Sequence, residues 1–259
     1  MGPAQQSLVS TFNPLIYRPS LRLPRPPPHR PPAMRVYSSH IPTVSNIPQI
    51  SLFSYLLPIN DEHPERAAFI DSPTGRVLTR AQLQRDARVL AYGLRLGLEP
   101  RGGLNVPRRS TIVIFSGNSI CVPVGILAAL AAGLCLSMAS SASTPSELAY
   151  QIKDSEPTHL FVQPELAHIA IAALESLGVQ PNDIRRRVLL LAPATGVPKE
   201  VQTRGFLNLD DIMADNKPLF PEAYDGELSQ RTAMLFYSSG TTGGYFICEL
   251  LPPSINGSR

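Results

Sequence analysis

A stretch without any charged residue, positions 111–146, limits what this chain can fold into more than any other feature. Within it, residues 120–138 are long enough to cross a bilayer as one helix. Glycine and alanine dilute the apolar content of that segment, and the β-branched run 111–115 before it is typical of a strand. The stretch therefore predicts a buried strand, a helix capped by Asn118 and ended by Gly133, and a second strand. A single membrane span is the alternative.

The rest of the body alternates between strand-like and helix-like patterns. Two short strands flank a turn at 71–75, and two helices begin at capping boxes, Thr79 with Gln82 and Thr144 with Glu147. A helix is also predicted for 164–177, and residues 193–231 are predicted to be mostly loop. Further strands are predicted at 158–162, 188–191 and 232–237. Strands separated by helices indicate an α/β fold, a mostly parallel sheet flanked by helices on both faces.

The amino-terminal segment has a different composition from the body. It is rich in proline and arginine, so residues 1–40 are predicted to be a disordered leader. Three interpretations stay open for it: upstream sequence before a true start at Met34, a real tail, or a targeting segment. Residues 1–48 carry five arginines and no acid, so the rest of the chain carries a net charge of −2 out of the total of +3. A net charge of −2 outside this segment does not indicate a basic surface that binds nucleic acid.

Cysteines and histidines show no pattern for a metal site. The three cysteines are odd in number and widely spaced, which argues against a disulfide framework and favours a reducing, cytoplasmic compartment. His159 in a strand and His168 on a helix do not have the spacing of metal ligands. The basic run 185–187 could contact an anion but is interpreted as solvated charge at the start of a strand. We therefore predict no metal ligand and no catalytic residue in this chain.

One motif carries chemistry, a serine-, threonine- and glycine-rich run directly after the last predicted strand. The glycines let the main chain approach a ligand closely, and the hydroxyls lie beside backbone N–H groups, which together suit a phosphate. The spacing is not that of a Walker A loop. A flexible turn without function explains the composition equally well. The candidate phosphate-binding residues are Ser238, Ser239, Gly240, Thr241, Thr242 and Gly243.

This run, preceded by Phe236 and Tyr237, resembles the signature of the adenylate-forming enzymes: acyl-CoA synthetases, 4-coumarate–CoA ligases and luciferases. The resemblance extends back to about residue 41 and is strongest to the 4-coumarate–CoA ligase-like acyl-CoA ligases. Further matching positions are 67–70, the helix after Thr79, 118–119, 131–133, 144–148 and 153–155. It implies that residues 41–243 form part of the family's amino-terminal AMP-binding domain, followed by a non-family tail at 244–259.

The resemblance also implies a reaction. Family members join a carboxylic acid to ATP with Mg²⁺, forming an acyl-AMP, and then transfer the acyl group to CoA. Residues 238–243 would hold the β- and γ-phosphates, with Thr241 and Thr242 as direct contacts. The family's Pro-Lys-Gly continuation is absent after Gly243, so the expectation is a truncated amino-terminal fragment that binds ATP weakly and does not adenylate.

Two other functions stay open: a short non-catalytic partner or decoy of the full-length ligase, and the membrane protein considered above. For the full-length form, a peroxisomal or mitochondrial location also stays open. We expect the strand at 232–237 to lie at an exposed apolar sheet edge that favours aggregation, and residues 245–248 would either cover this edge or make it more prone to aggregate.

Overall fold

Alternating strands and helices build a seven-stranded sheet with a separate two-stranded hairpin beside it. The computed structural model of the chain describes residues 50–97, 104–221, 232–239 and 245–250, with the backbone alone for 238, 239 and 245–250. The helices are α1 (Leu52–Leu56), α2 (Arg80–Leu96), α3 (Cys121–Ala131), α4 (Pro145–Ser155), α5 (Ala167–Ser176), α6 (Pro181–Arg187), α7 (Lys199–Gln202) and α8 (Leu209–Ile212). The strands are β1 (Ala67–Ile70), β2 (Val77–Thr79), β3 (Thr111–Phe115), β4 (Cys135–Ala139), β5 (His159–Val162), β6 (Val188–Leu190), β7 (Leu207–Asn208), β8 (Met234–Ser239) and β9 (Tyr245–Leu250). Two 3₁₀ turns lie at Pro164–Leu166 and Ala194–Gly196.

The large sheet has the strand order β7-β6-β5-β3-β4-β8-β9. Every neighbouring pair from β7 to β8 is parallel, and only β9 runs antiparallel to its neighbour β8. β1 and β2 form the predicted antiparallel hairpin, and Gly75 takes the positive φ of 72° that its turn requires. The predicted α/β architecture with a mostly parallel sheet is confirmed.

Helices cover both faces of the sheet and bury two apolar cores. Because side chains alternate along a strand, β3 contributes Ile112 and Ile114 to one core, and Val113 and Phe115 to the other. The first core is closed by α2, α3 and α8, and the second by α4, α5 and α6. The uncharged stretch is thus β3, α3 and β4 inside the fold. Among the described helices, none is long and apolar enough to span a membrane.

The helix ends follow the local signals with one exception. Both predicted capping boxes are present, at Thr79 with Gln82 and at Thr144 with Glu147. Gly133 follows α3 with a positive φ of 68°, as predicted. The prediction of Asn118 as the cap of α3 is wrong, because the helix begins at Cys121 and no side chain caps it at Ile120. Ser119 instead accepts a hydrogen bond from the Cys121 amide at 3.2 Å.

Between residues 181 and 212, β6 confirms the strand predicted at 188–191, whereas the other short elements were not predicted. The basic run 185–187 lies directly before β6, as predicted, but it forms the last turn of helix α6. Arg187 Nη2 donates to the Pro157 carbonyl at 2.7 Å. Residues 193–231, predicted as loop, contain α7, β7 and α8, while 222–231 lie outside the described residues. Asn208 caps α8 through the amides of Asp210 and Asp211. Elements of two to seven residues are too short for a hydrophobic period to develop.

Helix α2 also anchors two distant segments of the chain. Near its start, Arg80 forms an ion pair with Asp61 at 2.5 Å and donates to the Leu56 carbonyl at 2.9 Å. Near its middle, Arg88 Nε donates to the Leu219 carbonyl at 2.9 Å, while the Leu219 amide donates to the Arg88 carbonyl. The Arg88 guanidinium also lies 5.2 Å from the centre of the Phe220 ring. The segment that leaves α8 is therefore held across α2.

Candidate functional site

The candidate loop follows the carboxyl end of strand β8. β8 is parallel to β4, so its end lies at the same edge of the sheet as the carboxyl ends of β3, β4, β5 and β6. Ser238 and Ser239 are the last two residues of β8, which extends two residues beyond the predicted strand 232–237. Gly240, Thr241, Thr242 and Gly243 lie outside the described residues. Small-molecule sites of open parallel sheets form at this edge.

Strand β9 covers the edge that β8 would otherwise expose. Ser238 is paired with Phe246 and Ser239 with Tyr245, and the ladder continues to Met234 opposite Leu250. Of the two outcomes left open for residues 245–248, the structure shows that they pair with β8. β8 and β9 therefore form an antiparallel pair, and β9 is the edge strand of the sheet.

Tyr237, the residue before the loop, is tied to helix α4. Its Oη donates a hydrogen bond to Asp154 Oδ2 at 2.6 Å. Burial, followed by this bond and the negative charge of Asp154, raises the pKa of Tyr237 above its usual value, so the phenol stays a neutral donor. The contact joins residues 83 positions apart and fixes the end of β8 against the helix.

A second polar cluster lies at the same edge, where the connections leave β3 and β5 for opposite faces of the sheet. Gln163, directly after β5, accepts hydrogen bonds through Oε1 from the Gly117 amide at 2.8 Å and from Ser116 Oγ at 3.3 Å. A Cβ at Gly117 would lie 3.3 Å from that same oxygen. The sequence analysis missed Gln163, because its partner lies in a different connection and no local spacing reveals it.

We predict that Tyr237→Phe lowers the free energy of unfolding by about 1 kcal/mol, the usual contribution of a partly exposed hydrogen bond. Urea unfolding monitored by circular dichroism measures this. Tyr55→Phe is the matched control, because Tyr55 is 60% exposed and its loss of a hydroxyl should change stability by less than about 0.5 kcal/mol. Equal effects of the two variants would contradict a stabilising role for the Tyr237–Asp154 bond.

Metal ligands are not assembled in the part of the chain that the structure describes. No group of three His, Cys, Asp or Glu side chains that could hold an ion occurs there. The described cysteines, Cys121 and Cys135, are not joined in a disulfide, and burial raises the pKa of Cys121. The predicted Mg²⁺ therefore has no donor set among the described residues.

A mostly parallel sheet with helices on both faces places this chain among the open α/β folds, which bind small molecules at the carboxyl ends of their strands. Residues 59–244 match the AMP-binding enzyme family, and the chain belongs to that family. The resemblance to adenylate-forming enzymes predicted from the sequence is thus confirmed.

Among curated proteins, similarity is to plant ligases. The chain is 30% identical over 196 residues to 4-coumarate–CoA ligase-like 4 of Oryza sativa subsp. japonica, covering 76% of this chain and 32% of that protein. It is 34% identical over 213 residues to a putative 4-coumarate–CoA ligase-like 8 of the same organism, covering 80% and 30%. The chain thus spans about a third of the length of these relatives.

Solved structures share the fold. The anthranilate CoA ligase AuaEII in complex with anthranoyl-AMP superposes with a TM-score of 0.60 at 19% identity, covering 79% of this chain and 35% of that one. The apo structure of Mycobacterium smegmatis MbtA gives a TM-score of 0.62 at 22% identity, covering 79% and 34%. ATP-bound MatB from Rhodopseudomonas palustris gives 0.57 at 23% identity, covering 78% and 34%.

Proposed function

We propose that this chain supplies the phosphate-binding part of an ATP-dependent acyl- or aryl-CoA ligase. In this proposal, residues 41–243 are part of the amino-terminal AMP-binding domain, 1–40 a leader and 244–259 a tail outside the family pattern. The complete reaction joins a carboxylate to the α-phosphorus of ATP with release of pyrophosphate, and CoA then displaces AMP to form a thioester. A cytoplasmic location fits described cysteines that are not joined in a disulfide, and one relative is named as a peroxisomal ligase.

The observation that carries the proposal is the position of β8. Its last two residues are the first two of the Ser238–Gly243 run, and it ends at the carboxyl edge of the parallel sheet. Backbone N–H groups and hydroxyls at such an edge bind phosphate oxygens without needing a basic side chain. In our proposal, Ser238, Ser239, Thr241 and Thr242 donate to the β- and γ-phosphates, and the glycines allow the close approach.

The expected affinity of the chain for ATP is low. Hydrogen bonds to a charged group contribute about 1.5–3 kcal/mol each, so three or four supply roughly 5–12 kcal/mol. Association costs an estimated 4–15 kcal/mol, which removes most of that gain. Residues 244–259 contain no lysine to neutralise phosphate, and the chain spans about a third of its relatives' length. We therefore expect millimolar ATP binding at best and no adenylation by the 259-residue chain.

We predict that Thr241→Val weakens ATP binding about tenfold, because one hydroxyl donor to a charged phosphate is removed. Broadening of the ³¹P resonances of ATP by the purified chain measures this. Thr203→Val is the matched control, because Thr203 lies outside the 238–243 run and its exposed hydroxyl donates to the Glu200 carbonyl. Equal broadening by wild type and Thr241→Val would contradict the role of the loop. ATP–pyrophosphate exchange by the chain would contradict the expected lack of adenylation.

A further inference from the structure

Three arginines from two separate segments of the chain converge at the amino edge of the large sheet. β6 and β7 are parallel neighbours, with Leu189 opposite Leu207. Arg186 and Arg204 each precede these paired residues by three positions, so the two segments bring them to the same edge. This edge is opposite the one where β8 ends, because every neighbouring pair from β7 to β8 is parallel. We call Arg185, Arg186 and Arg204 the basic cluster.

Gly205, the residue after Arg204, allows Arg185 to lie against the turn that precedes β7. Gly205 has a positive φ of 73°, and a Cβ at this position would lie 3.6 Å from Arg185 Cδ and 3.8 Å from Arg185 Nε. The Arg185 side chain therefore crosses the main chain of the turn, with its Nε next to the residue that follows Arg204. The end of α6 and the segment before β7 are thus in direct contact, and both carry positive charge.

The charges of the basic cluster are not compensated within the described part of the chain. None of its guanidinium groups forms a hydrogen bond or an ion pair there, not even with Asp183 and Glu200 of the adjoining helices α6 and α7. Arg187 differs, because it donates to the Pro157 carbonyl and interacts with the charge of Asp183. All three residues of the cluster are exposed. Like charges held together without a counter-charge repel one another, and an anion placed among them relieves this repulsion.

We propose that the basic cluster binds a doubly charged phosphate group, either as a soluble phosphate compound or as the headgroup of a lipid. A guanidinium group presents its N–H donors in a planar fork that matches two phosphate oxygens. Arginines from α6 and from the turn before β7 would donate to one phosphate from two segments. The run 185–187 alone suggested solvated charge, whereas the sheet order adds Arg204 to it. The inference does not depend on ATP binding by residues 238–243, because the cluster lies at the opposite edge of the sheet.

Titration of the isotope-labelled chain with sodium phosphate at constant pH, monitored by ¹H–¹⁵N NMR, tests the proposal. We expect saturable shifts of the backbone amides of 185–187 and 204–206 and of the arginine Nε–H groups of the cluster. Sodium chloride at the same ionic strength should not produce them, and equal shifts with chloride would overturn the proposal. Shifts at Ser238 and Ser239 alone would locate phosphate at the proposed ATP loop and would also overturn it.

Lipid vesicles distinguish the two sources of the phosphate group. Co-sedimentation with phosphatidylcholine vesicles that contain phosphatidate, but not with pure phosphatidylcholine vesicles, would identify a lipid headgroup as the ligand. Saturable binding of inorganic phosphate without co-sedimentation would identify a soluble phosphate compound. If the chain binds neither, the proposal is wrong.

Substitutions separate the basic cluster from the other arginines, including the five in residues 1–48. Arg186→Gln and Arg204→Gln remove exposed charges without removing a contact in the described part of the structure. Each should weaken phosphate binding, and any binding to phosphatidate vesicles, about tenfold, the loss of one hydrogen bond to a charged group. Arg66→Gln is the matched control, because it removes the same charge from an exposed arginine outside the cluster, and it should bind like wild type. Equal weakening by Arg66→Gln, or unchanged binding by both cluster variants, would overturn the proposal.

Discussion

Replacing Gly93 by alanine should destabilise the fold by at least about 2 kcal/mol, the upper part of the range for overpacking. Gly93 lies inside helix α2, where an added Cβ would be 1.9 Å from the Ile212 carbonyl oxygen and 2.9 Å from the carbonyl carbon. Both atoms belong to the backbone, so α2 and α8 would have to separate. In a solvent-exposed helix the same substitution would stabilise the helix by about 1 kcal/mol. The close contact with Ile212 therefore turns a stabilising substitution into a destabilising one.

Thermal unfolding monitored by circular dichroism measures this effect, expected as a fall in melting temperature of roughly 5 °C or more. Gly125→Ala is the matched control, a second glycine inside a buried helix. Its Cβ would lie 3.1 Å from Leu191 Cδ1 and 3.5 Å from Ile114 Cδ1, which are ends of flexible side chains. We expect Gly125→Ala to change stability by less than about 1 kcal/mol. Similar melting temperatures for wild type and Gly93→Ala would mean that α2 and α8 are not in close contact.

The second large effect is a loss of stability in mild acid caused by His159. Its Nδ1 is buried without a hydrogen-bond partner in the described part of the structure. Burial, followed by the nearby positive charge of Arg187, lowers the pKa of His159 from 6.5 to about 4. The unfolded chain therefore binds a proton between pH 6.5 and 4 that the folded chain does not. Stability is full above pH 6.5 and falls by up to about 3 kcal/mol as the pH drops to 4.

Urea unfolding at pH 7, 5.5 and 4.5 tests this, and the comparison of variants separates His159 from the carboxylates that also titrate. His159→Leu should have a shallower decline of stability with acid than wild type. His168→Leu should retain the wild-type decline, because His168 is exposed on α5 and contacts the Glu165 carbonyl. Parallel pH profiles for wild type and His159→Leu would exclude His159 as the acid-sensitive group.

Where a structural feature depends on neighbouring residues in the chain, its prediction is confirmed. The capping boxes at Thr79 and Thr144 and the glycine after α3 are local chemistry, and each falls within one turn of the helix it bounds. The uncharged stretch required burial, and β3 supplies it on both faces of the sheet. Asn118 is the exception: near the start of α3, it is the next polar residue, Ser119, whose side chain accepts the hydrogen bond from the Cys121 amide.

Features that depend on contacts between distant residues could not be predicted. Helix propensity alone predicts that Gly93 destabilises α2 relative to alanine. The position of the Ile212 carbonyl, which the sequence does not reveal, explains why no side chain fits there. The Tyr237–Asp154 bond and the amide of Gln163 are set by sheet order, which brings together connections from different strands. The composition of the 238–243 run identified a candidate site, whereas the basic cluster at the amino edge arises because β6 and β7 are neighbours in the sheet.

The contacts of Leu219 and Phe220 with helix α2 limit which substitutions that helix tolerates. Arg88 engages Leu219 through both side chain and main chain and holds Phe220 by its guanidinium face. A lysine there would keep the charge but lose the planar group that stacks and bonds at once. Polar residues on this helix therefore cannot all be exchanged to improve solubility, because Arg88 holds the segment that contains Leu219 and Phe220.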